Sequence, residues 1–203
     1  MRLHYHPVSP YARKALVALL HRGDTFERRL LDIRGGDLRT EAYRKLSPFG
    51  KMPVLETEDG PLIESTSIIE WLEERGPRVL LPASCAREAR RWDRIGDHYL
   101  IEPQSEIWFR PDTAAAAEAR VTVPIAWALF EEQLAGRDFV CGATFTLGDI
   151  GAAIATGYLE GLDVVPPPAI KAWRKRCFAV PAMAEALDEA RPSLVRMLEA
   201  RRR

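Results

Sequence analysis

Cysteine is scarce in this 203-residue chain: Cys85, Cys141 and Cys177 are the only three, and no two of them stand in a C-x-x-C pair. So scattered an odd set supports neither a disulfide framework nor a thiolate zinc site, and it suits a reducing compartment. The histidines His4, His6, His21 and His98 show no repeated ligand spacing, so no metal is expected. Net charge is lacking too, because 29 basic side chains meet 29 acidic ones. A protein that holds nucleic acid or an anionic membrane by its overall field needs a surplus of Lys and Arg, and both function classes lose their support. No segment approaches the roughly 18 apolar residues of a membrane span. Met1-Arg2-Leu3-His4-Tyr5-His6-Pro7 has none of the apolar core of a secretory signal, and a cytoplasmic protein is expected. There is no internal repeat, and no low-complexity tract beyond a short alanine run.

What is present is a globular composition, 47% hydrophobic and 29% charged, in a chain long enough to fold without covalent staples. Strand-like and helix-like segments alternate over the first 75 or so residues, whereas helical periodicity alone follows residue 86. Leu3 to His6 reads as a strand. After Pro10, the positions Ala12, Ala15, Leu16, Leu19 and Leu20 form one face of a helix that ends near Gly23. Thr25 to Ile33 reads as a second strand, Arg39 to Leu46 as a short helix, and Pro53 to Thr57 with Leu62 to Glu64 as a hairpin around Asp59-Gly60. Ile68, Ile69 and Leu72 mark a further helix that stops before Gly76-Pro77. The expected organisation is an α/β domain over residues 1–76, a linker over 77–86 and an all-helical domain over 87–203. In the latter, Pro103 should bend or end the first helix and Pro124 kink a later one. Thr146 to Asp149 forms a capping box with Phe145 and Ile150 as its staple, and the Arg201 to Arg203 tail favours a helix C-terminus.

Three segments carry chemistry. Ser9 precedes Pro10 at a helix start, where a hydroxyl and the helix dipole both favour negative charge, although serine before proline is also an ordinary N-cap. Met52-Pro53 enters a strand, a place where an X-Pro bond is readily cis. Glu64-Ser65 lies at a strand-to-helix junction, so Ser65 can cap the helix while its amide faces an anion; Ser67 with Glu70 offers a second capping box.

Taken together, Ser9-Pro10-Tyr11-Ala12-Arg13-Lys14, Ser47-Pro48-Phe49-Gly50-Lys51-Met52-Pro53-Val54-Leu55 and Glu64-Ser65 followed by Ile68-Ile69-Glu70-Trp71-Leu72 resemble the cytosolic glutathione S-transferases. The first segment resembles the S-P-x-x-R-K opening of bacterial members. Thr146 to Asp149, with Gly148 in the usual alanine place, and Pro168 to Trp173 with Val180-Pro181 extend the resemblance along the chain. It implies a thioredoxin-like N-terminal domain with a C-terminal helical bundle, glutathione as co-substrate without a metal, a small electrophile as second substrate, and a homodimer.

Carried over residue by residue, the resemblance gives Lys51 to the glycyl carboxylate of glutathione. The backbone of Met52, turned by a cis bond to Pro53, pairs with the cysteinyl part, and Glu64 with Ser65 holds the γ-glutamyl end. Asp97 would reach the γ-glutamyl amine across a dimer interface. Ser9 would steady the thiolate, with Tyr5 as the alternative. Position 9 is not cysteine, so little thiol-reductase activity is expected. Tyr11, Trp108 and Phe109 are the expected lining of the second-substrate pocket, with Arg110 as its anion contact, unless the three rings are plain core aromatics. The rival readings are a non-catalytic regulatory or scaffolding member of the fold, and a specialised glutathione-dependent isomerase, dehalogenase or lyase. The S-S-C opening of the zeta-type isomerase is absent.

Overall fold

Strand β1 (Arg2–Tyr5) buries Leu3 and Tyr5 completely, and helix α1 (Pro10–Arg22) lays Ala12, Ala15, Leu16 and Leu19 into the same core. This is the apolar face that the i, i+3, i+4, i+7 spacing predicts. The computed structural model describes residues 1–162 and 164–201. It resolves into two compact units, one of Met1–Pro77 together with the chain from Ala184 onward, the other of Arg78–Met183. The helical stretch after residue 87 is thereby shared between them.

In the first unit, β2 (Glu27–Leu30), β3 (Val54–Thr57) and β4 (Gly60–Ile63) join β1 in a sheet of order β2-β1-β3-β4. The β1 and β2 strands run parallel; the other neighbours are antiparallel. Helix α3 (Ser65–Glu74) packs beside α1 and buries Ile68, Ile69 and Leu72. Helix α2 (Glu41–Leu46) covers a smaller cluster of Leu31, Tyr43 and Val54. This is the thioredoxin-like arrangement expected from the sequence. Strand β2 stops earlier than its β-propensity suggests because Asp32 folds the chain back. Its carboxylate accepts from Gly35 N–H at 2.7 Å, and its own N–H donates to Asp37 at 2.9 Å. Helix α2 starts at Glu41 rather than Arg39 because Thr40 Oγ1 caps it, accepting from Tyr43 N–H at 3.2 Å.

The second unit is helical: α4 (Ala86–Gly96), a π-helical turn (Asp97–Ile101), α5 (Glu102–Phe109), α6 (Ala114–Gln133), α7 (Leu147–Glu160) and α8 (Pro168–Ala179). The last helix, α9 (Pro181–Arg201), begins here and continues in the first unit. Pro103 does not end the first long helix. The wider turn ahead of it, in which Glu102 N–H reaches back five residues to Asp97 C=O, takes up the bond that proline cannot donate. Helix α6 likewise continues through Pro124. Phe130 sits between Trp92 and Trp173, with ring centroids at 4.6 and 5.4 Å.

The capping box forms as its residues predict. Asp149 Oδ2 accepts from Thr146 N–H at 3.0 Å and from Thr146 Oγ1 at 3.1 Å, while Oδ1 accepts from Val140 N–H and Trp173 Nε1, each at 3.0 Å. Gly148 replaces alanine for a steric reason: a Cβ there would stand 2.8 Å from Trp92 Cβ and 2.9 Å from Val140 Cγ2. No helix among the described residues is long and apolar enough to cross a membrane. Arg202 and Arg203 of the basic tail lie outside the described residues.

Candidate active site

Strand register brings the three chemical segments to one end of the sheet. His4 pairs with Val54, and Val54 pairs with Ile63. One step beyond these pairs stand Tyr5, at the end of β1, Pro53, at the entry to β3, and Glu64, at the exit of β4. A short turn after β1, closed by Ser9 N–H to His6 C=O at 3.0 Å, delivers Ser9 to the start of α1. A side-chain bridge ties the two helix starts together: Lys14 Nζ, one turn into α1, donates to Thr66 Oγ1 in the first turn of α3 at 3.3 Å. Arg13 and Lys14 are both buried, and neither helix has an acidic residue in its first turn. Cations and helix N-termini on this edge therefore favour an anion.

Ser9 is the N-cap of α1, with Pro10 at the first helical position. Its Oγ accepts from Ala12 N–H at 3.2 Å. That bond uses a lone pair of the oxygen and leaves the hydroxyl's own proton as a donor. Tyr5 differs. It is fully buried, its hydroxyl donates to Glu189 of α9, and Glu189 also lies 3.6 Å from Arg28. Burial, reinforced by the bond to Glu189, pushes the phenol well above its ordinary pKa.

The Met52–Pro53 bond is cis. Ahead of it, Lys51 is exposed at its side chain and held at its backbone. Ser47 Oγ accepts from Lys51 N–H at 3.0 Å and donates to Lys51 C=O at 2.8 Å, and the Tyr43 hydroxyl donates to the same carbonyl at 2.8 Å. Burial pushes the Tyr43 phenol up to about 12, so it stays a donor at neutral pH. The turn from Ser47 to Gly50 closes with an N–H to C=O bond of 2.8 Å and has Pro48 at its second position. Gly50 has φ of 60°, and a Cβ there would come within 2.8 Å of Leu38 C=O, so this position needs glycine twice over.

Glu64, not a serine, is the N-cap of α3. Its φ of 69° is the one positive value outside glycine among the described residues, and its carbonyl accepts from Ile68 N–H at 2.9 Å. The capping expectations for Ser65 and for Ser67 with Glu70 are corrected accordingly. The chain enters the helix at Glu64, one residue before Ser65 and three before Ser67, so Ser65 is the first helical residue and Ser67 lies inside the first turn. Ser65 is 4% exposed, and its amide is one of those that a helix N-terminus leaves without an intrahelical partner. Backbone strain of this kind costs about 1–3 kcal/mol and concentrates at functional sites.

The remaining expected residues are Tyr11 in the first unit and Asp97, Trp108, Phe109 and Arg110 in the second. Tyr11 is half-buried in the first unit, its ring centroid 6.0 Å from Lys14 Nζ. In the second unit, Asp97 opens the π-turn, buried, with Arg94 Nη1 at 3.5 Å. Trp108 stands edge-on to Tyr158 at 6.1 Å, Phe109 is 71% exposed, and Arg110 pairs with Glu106. Among the described residues, no group of three or more His, Cys, Asp or Glu is placed to hold a metal. Reading the sequence missed the supports Tyr43, Ser47, Lys14, Thr66 and Glu189. Ser47 and Lys14 lie within the motifs that carry the family resemblance; Glu189 has no local signal.

Residues 3–79 match the glutathione S-transferase N-terminal domain family, and residues 96–181 match the C-terminal domain of the same family. The chain belongs to the glutathione S-transferase family. It is similar over 93% of its length to a glutathione S-transferase of Hyoscyamus muticus, at 26% identity and covering 98% of that protein. Over 73% of its length it is 27% identical to a probable elongation factor 1-gamma 2 of Arabidopsis thaliana, of which it covers 38%. The same fold occurs in a delta-class glutathione transferase of Nilaparvata lugens, with a TM-score of 0.85, 21% identity and 98% of each chain covered.

Proposed function

We propose that the chain is an active glutathione S-transferase that joins the glutathione thiolate to a small, mostly apolar electrophile. In this reading glutathione lies along the end of the sheet. Lys51 meets its glycyl carboxylate, the backbone of Met52 beside Pro53 meets its cysteinyl part, and Glu64 with Ser65 at the start of α3 receives the γ-glutamyl end. Ser9 donates its hydroxyl proton to the sulfur. The single observation that carries the reading is the placing of Ser9 at the N-terminus of α1, its oxygen accepting from Ala12 N–H and its proton uncommitted by that bond.

A thiolate and not a thiol attacks, and each unit by which the site lowers the thiol pKa is worth about 1.4 kcal/mol. The hydroxyl bond and the helix dipole both act in that direction. The sulfur then forms a bond to an electrophilic carbon and displaces a leaving group, or adds across an activated double bond, with the protein supplying position and charge. The commitment of Tyr5 to Glu189 favours Ser9 over Tyr5 for this role. As an alcohol, Ser9 forms no mixed disulfide, which supports conjugation over thiol exchange. Homodimeric assembly, the cross-subunit role of Asp97 and a cytoplasmic location belong to the same proposal.

Calorimetric titration with glutathione, of wild type and Ser65→Ala, tests the binding half; chloronitrobenzene conjugation, by wild type and Ser9→Ala, tests the chemistry. No glutathione binding by wild type would leave a non-catalytic member of the fold, the reading that the elongation-factor relative favours. Binding with conjugation undiminished in Ser9→Ala would move the thiolate role away from Ser9.

A further inference from the structure

The second unit holds a pair of thiols that the proposed glutathione chemistry does not use. Cys85 is the N-cap of α4, its N–H donating to Pro82 C=O at 3.0 Å. Cys141 sits in a tight turn in which Phe139 and Gly142 exchange backbone bonds of 2.8 and 3.0 Å. These segments are far apart in the chain and are drawn together by Gln133, whose Nε2 donates to Glu88 Oε1 and to Val140 C=O, each at 2.6 Å. The packing at Gly148 agrees, since a Cβ there would stand 2.9 Å from Val140 Cγ2 and 3.0 Å from Ala89 C=O, which places these two segments side by side. Cys141, next to Val140, and Cys85, one turn before Ala89 and close to Glu88, are thereby brought to neighbouring segments, and the Cys85 thiol and the Thr146 hydroxyl both act on the electrostatics of the Cys141 thiol. Cys85 and Cys141 are half-buried and within reach of a small oxidant, whereas Cys177 is fully buried in α8.

We propose that Cys85 and Cys141 are a redox-active pair that closes reversibly into a disulfide in the presence of hydrogen peroxide. Cys85 is the attacking sulfur, because the amides at the start of α4 face negative charge developing there. Cys141 is the resolving one. Burial first, then the neighbouring Cys85 and Asp149, push its thiol up to about 12, so it retains its proton until it attacks. In the first step the Cys85 sulfur bonds to one peroxide oxygen as the O–O bond breaks, giving a sulfenic acid and, after proton transfer, water. Cys141 then attacks that sulfur, the S–O bond breaks, and a second water leaves. Two thiols and one peroxide become one disulfide and two waters, the sulfurs losing the two electrons that the peroxide gains. The bridge pins the start of α4 to the segment that leads into the Asp149 capping box.

The test uses the reduced full-length protein, exposed to hydrogen peroxide, denatured, alkylated with a maleimide and analysed by peptide mass spectrometry. The expected product has lost about 2 Da, keeps only Cys177 alkylatable, contains a Cys85–Cys141 cross-linked peptide and reverts with dithiothreitol. Its thermal midpoint should rise by roughly 5–15 °C over the reduced form. In Cys141→Ser, oxidation should stop at a Cys85 sulfenic acid that dimedone captures, while Cys177→Ser should form the bridge as wild type does. The proposal is overturned if all three thiols remain alkylatable after peroxide, if Cys85 passes to sulfinic acid with Cys141 still alkylatable, or if the cross-link involves Cys177.

Discussion

Replacing Asp149 by alanine should cost the second unit about 4 kcal/mol, and the structure supplies both sides of that figure. The carboxylate is fully buried and accepts from Val140 N–H, Trp173 Nε1, Thr146 N–H and Thr146 Oγ1 at 3.0 to 3.1 Å. Alanine leaves three buried N–H donors with no acceptor, at about 1–3 kcal/mol each. Against this, the native state already carries the cost of holding a charge away from water. Burial, opposed by those same hydrogen bonds, raises the Asp149 carboxyl from 3.8 to about 6. A shift of that size corresponds to roughly 3 kcal/mol between the two protonation states, part of which alanine recovers.

The raised value also fixes a pH dependence. Between pH 4 and pH 6 the folded state binds more protons at this site than the unfolded state does, so its contribution to stability is fully present below the unfolded pKa and is lost as pH rises through about 6. Urea unfolding of the reduced protein, followed by tryptophan fluorescence, reads the second unit, where Trp92, Trp127 and Trp173 are buried. The gap between wild type and Asp149→Ala should be wider at pH 5 than at pH 7.5. A loss below about 1 kcal/mol, or a gap that does not change with pH, would refute the reasoning by showing that water replaces the carboxylate.

For the chemistry, Ser9→Ala should lower kcat for chloronitrobenzene conjugation by roughly 10²–10³ while leaving glutathione affinity nearly unchanged, and should move the pH–rate profile upward; steady-state kinetics across pH 6 to 9 distinguishes this from misfolding. Tyr5→Phe removes one donor to Glu189 and should cost about 1 kcal/mol of stability in denaturant titration, with conjugation within a few-fold of wild type. Gly148→Ala should destabilise by about 1–3 kcal/mol in the same titration, since its Cβ would enter the space of Trp92 and Val140. Phe109, 71% exposed, should bear on the electrophile and not on glutathione. Phe109→Ala is expected to raise KM for chloronitrobenzene about ten-fold with glutathione affinity unchanged, as read from paired saturation curves.

Side-chain type and spacing made the architecture legible before any coordinates. The helical face of Ala12, Ala15, Leu16 and Leu19 and the Thr146 to Asp149 box formed at the expected positions, and the hairpin formed with its turn one residue earlier, at Glu58-Asp59, Gly60 already pairing with Thr57; each is set by local periodicity, turn chemistry or capping. Pro103 does not end its helix, for a local reason that composition does not reveal: a π-turn stands ahead of it, and the helix bearing Pro124 runs on to Gln133. The order of the units was hidden for a different reason. Nothing in the amphipathic pattern of α9 says which core its apolar face joins, and only Tyr5 and Arg28, more than 150 residues earlier, show why Glu185 and Glu189 lie in the first unit.

The candidate site marks the boundary between the two kinds of information. Ser9 was legible because N-capping followed by proline is a statement about side chains, and its environment agrees with it. Ser65 was legible only as a residue; its place as the first helical residue depends on Glu64 taking up a positive φ, which no rule of capping preference assigns to glutamate. Lys51 is similar. Its side chain is exposed and ordinary, whereas its backbone N–H is held by Ser47 and its C=O by both Ser47 and Tyr43. A site that recognises a peptide by strand-like pairing is built from backbone direction, and backbone direction is specified by neighbours that are unremarkable in themselves. Substitutions at Ser47 or Tyr43, which touch no proposed ligand, should therefore weaken glutathione binding through Lys51 and Met52 more than truncation of the Lys51 side chain does.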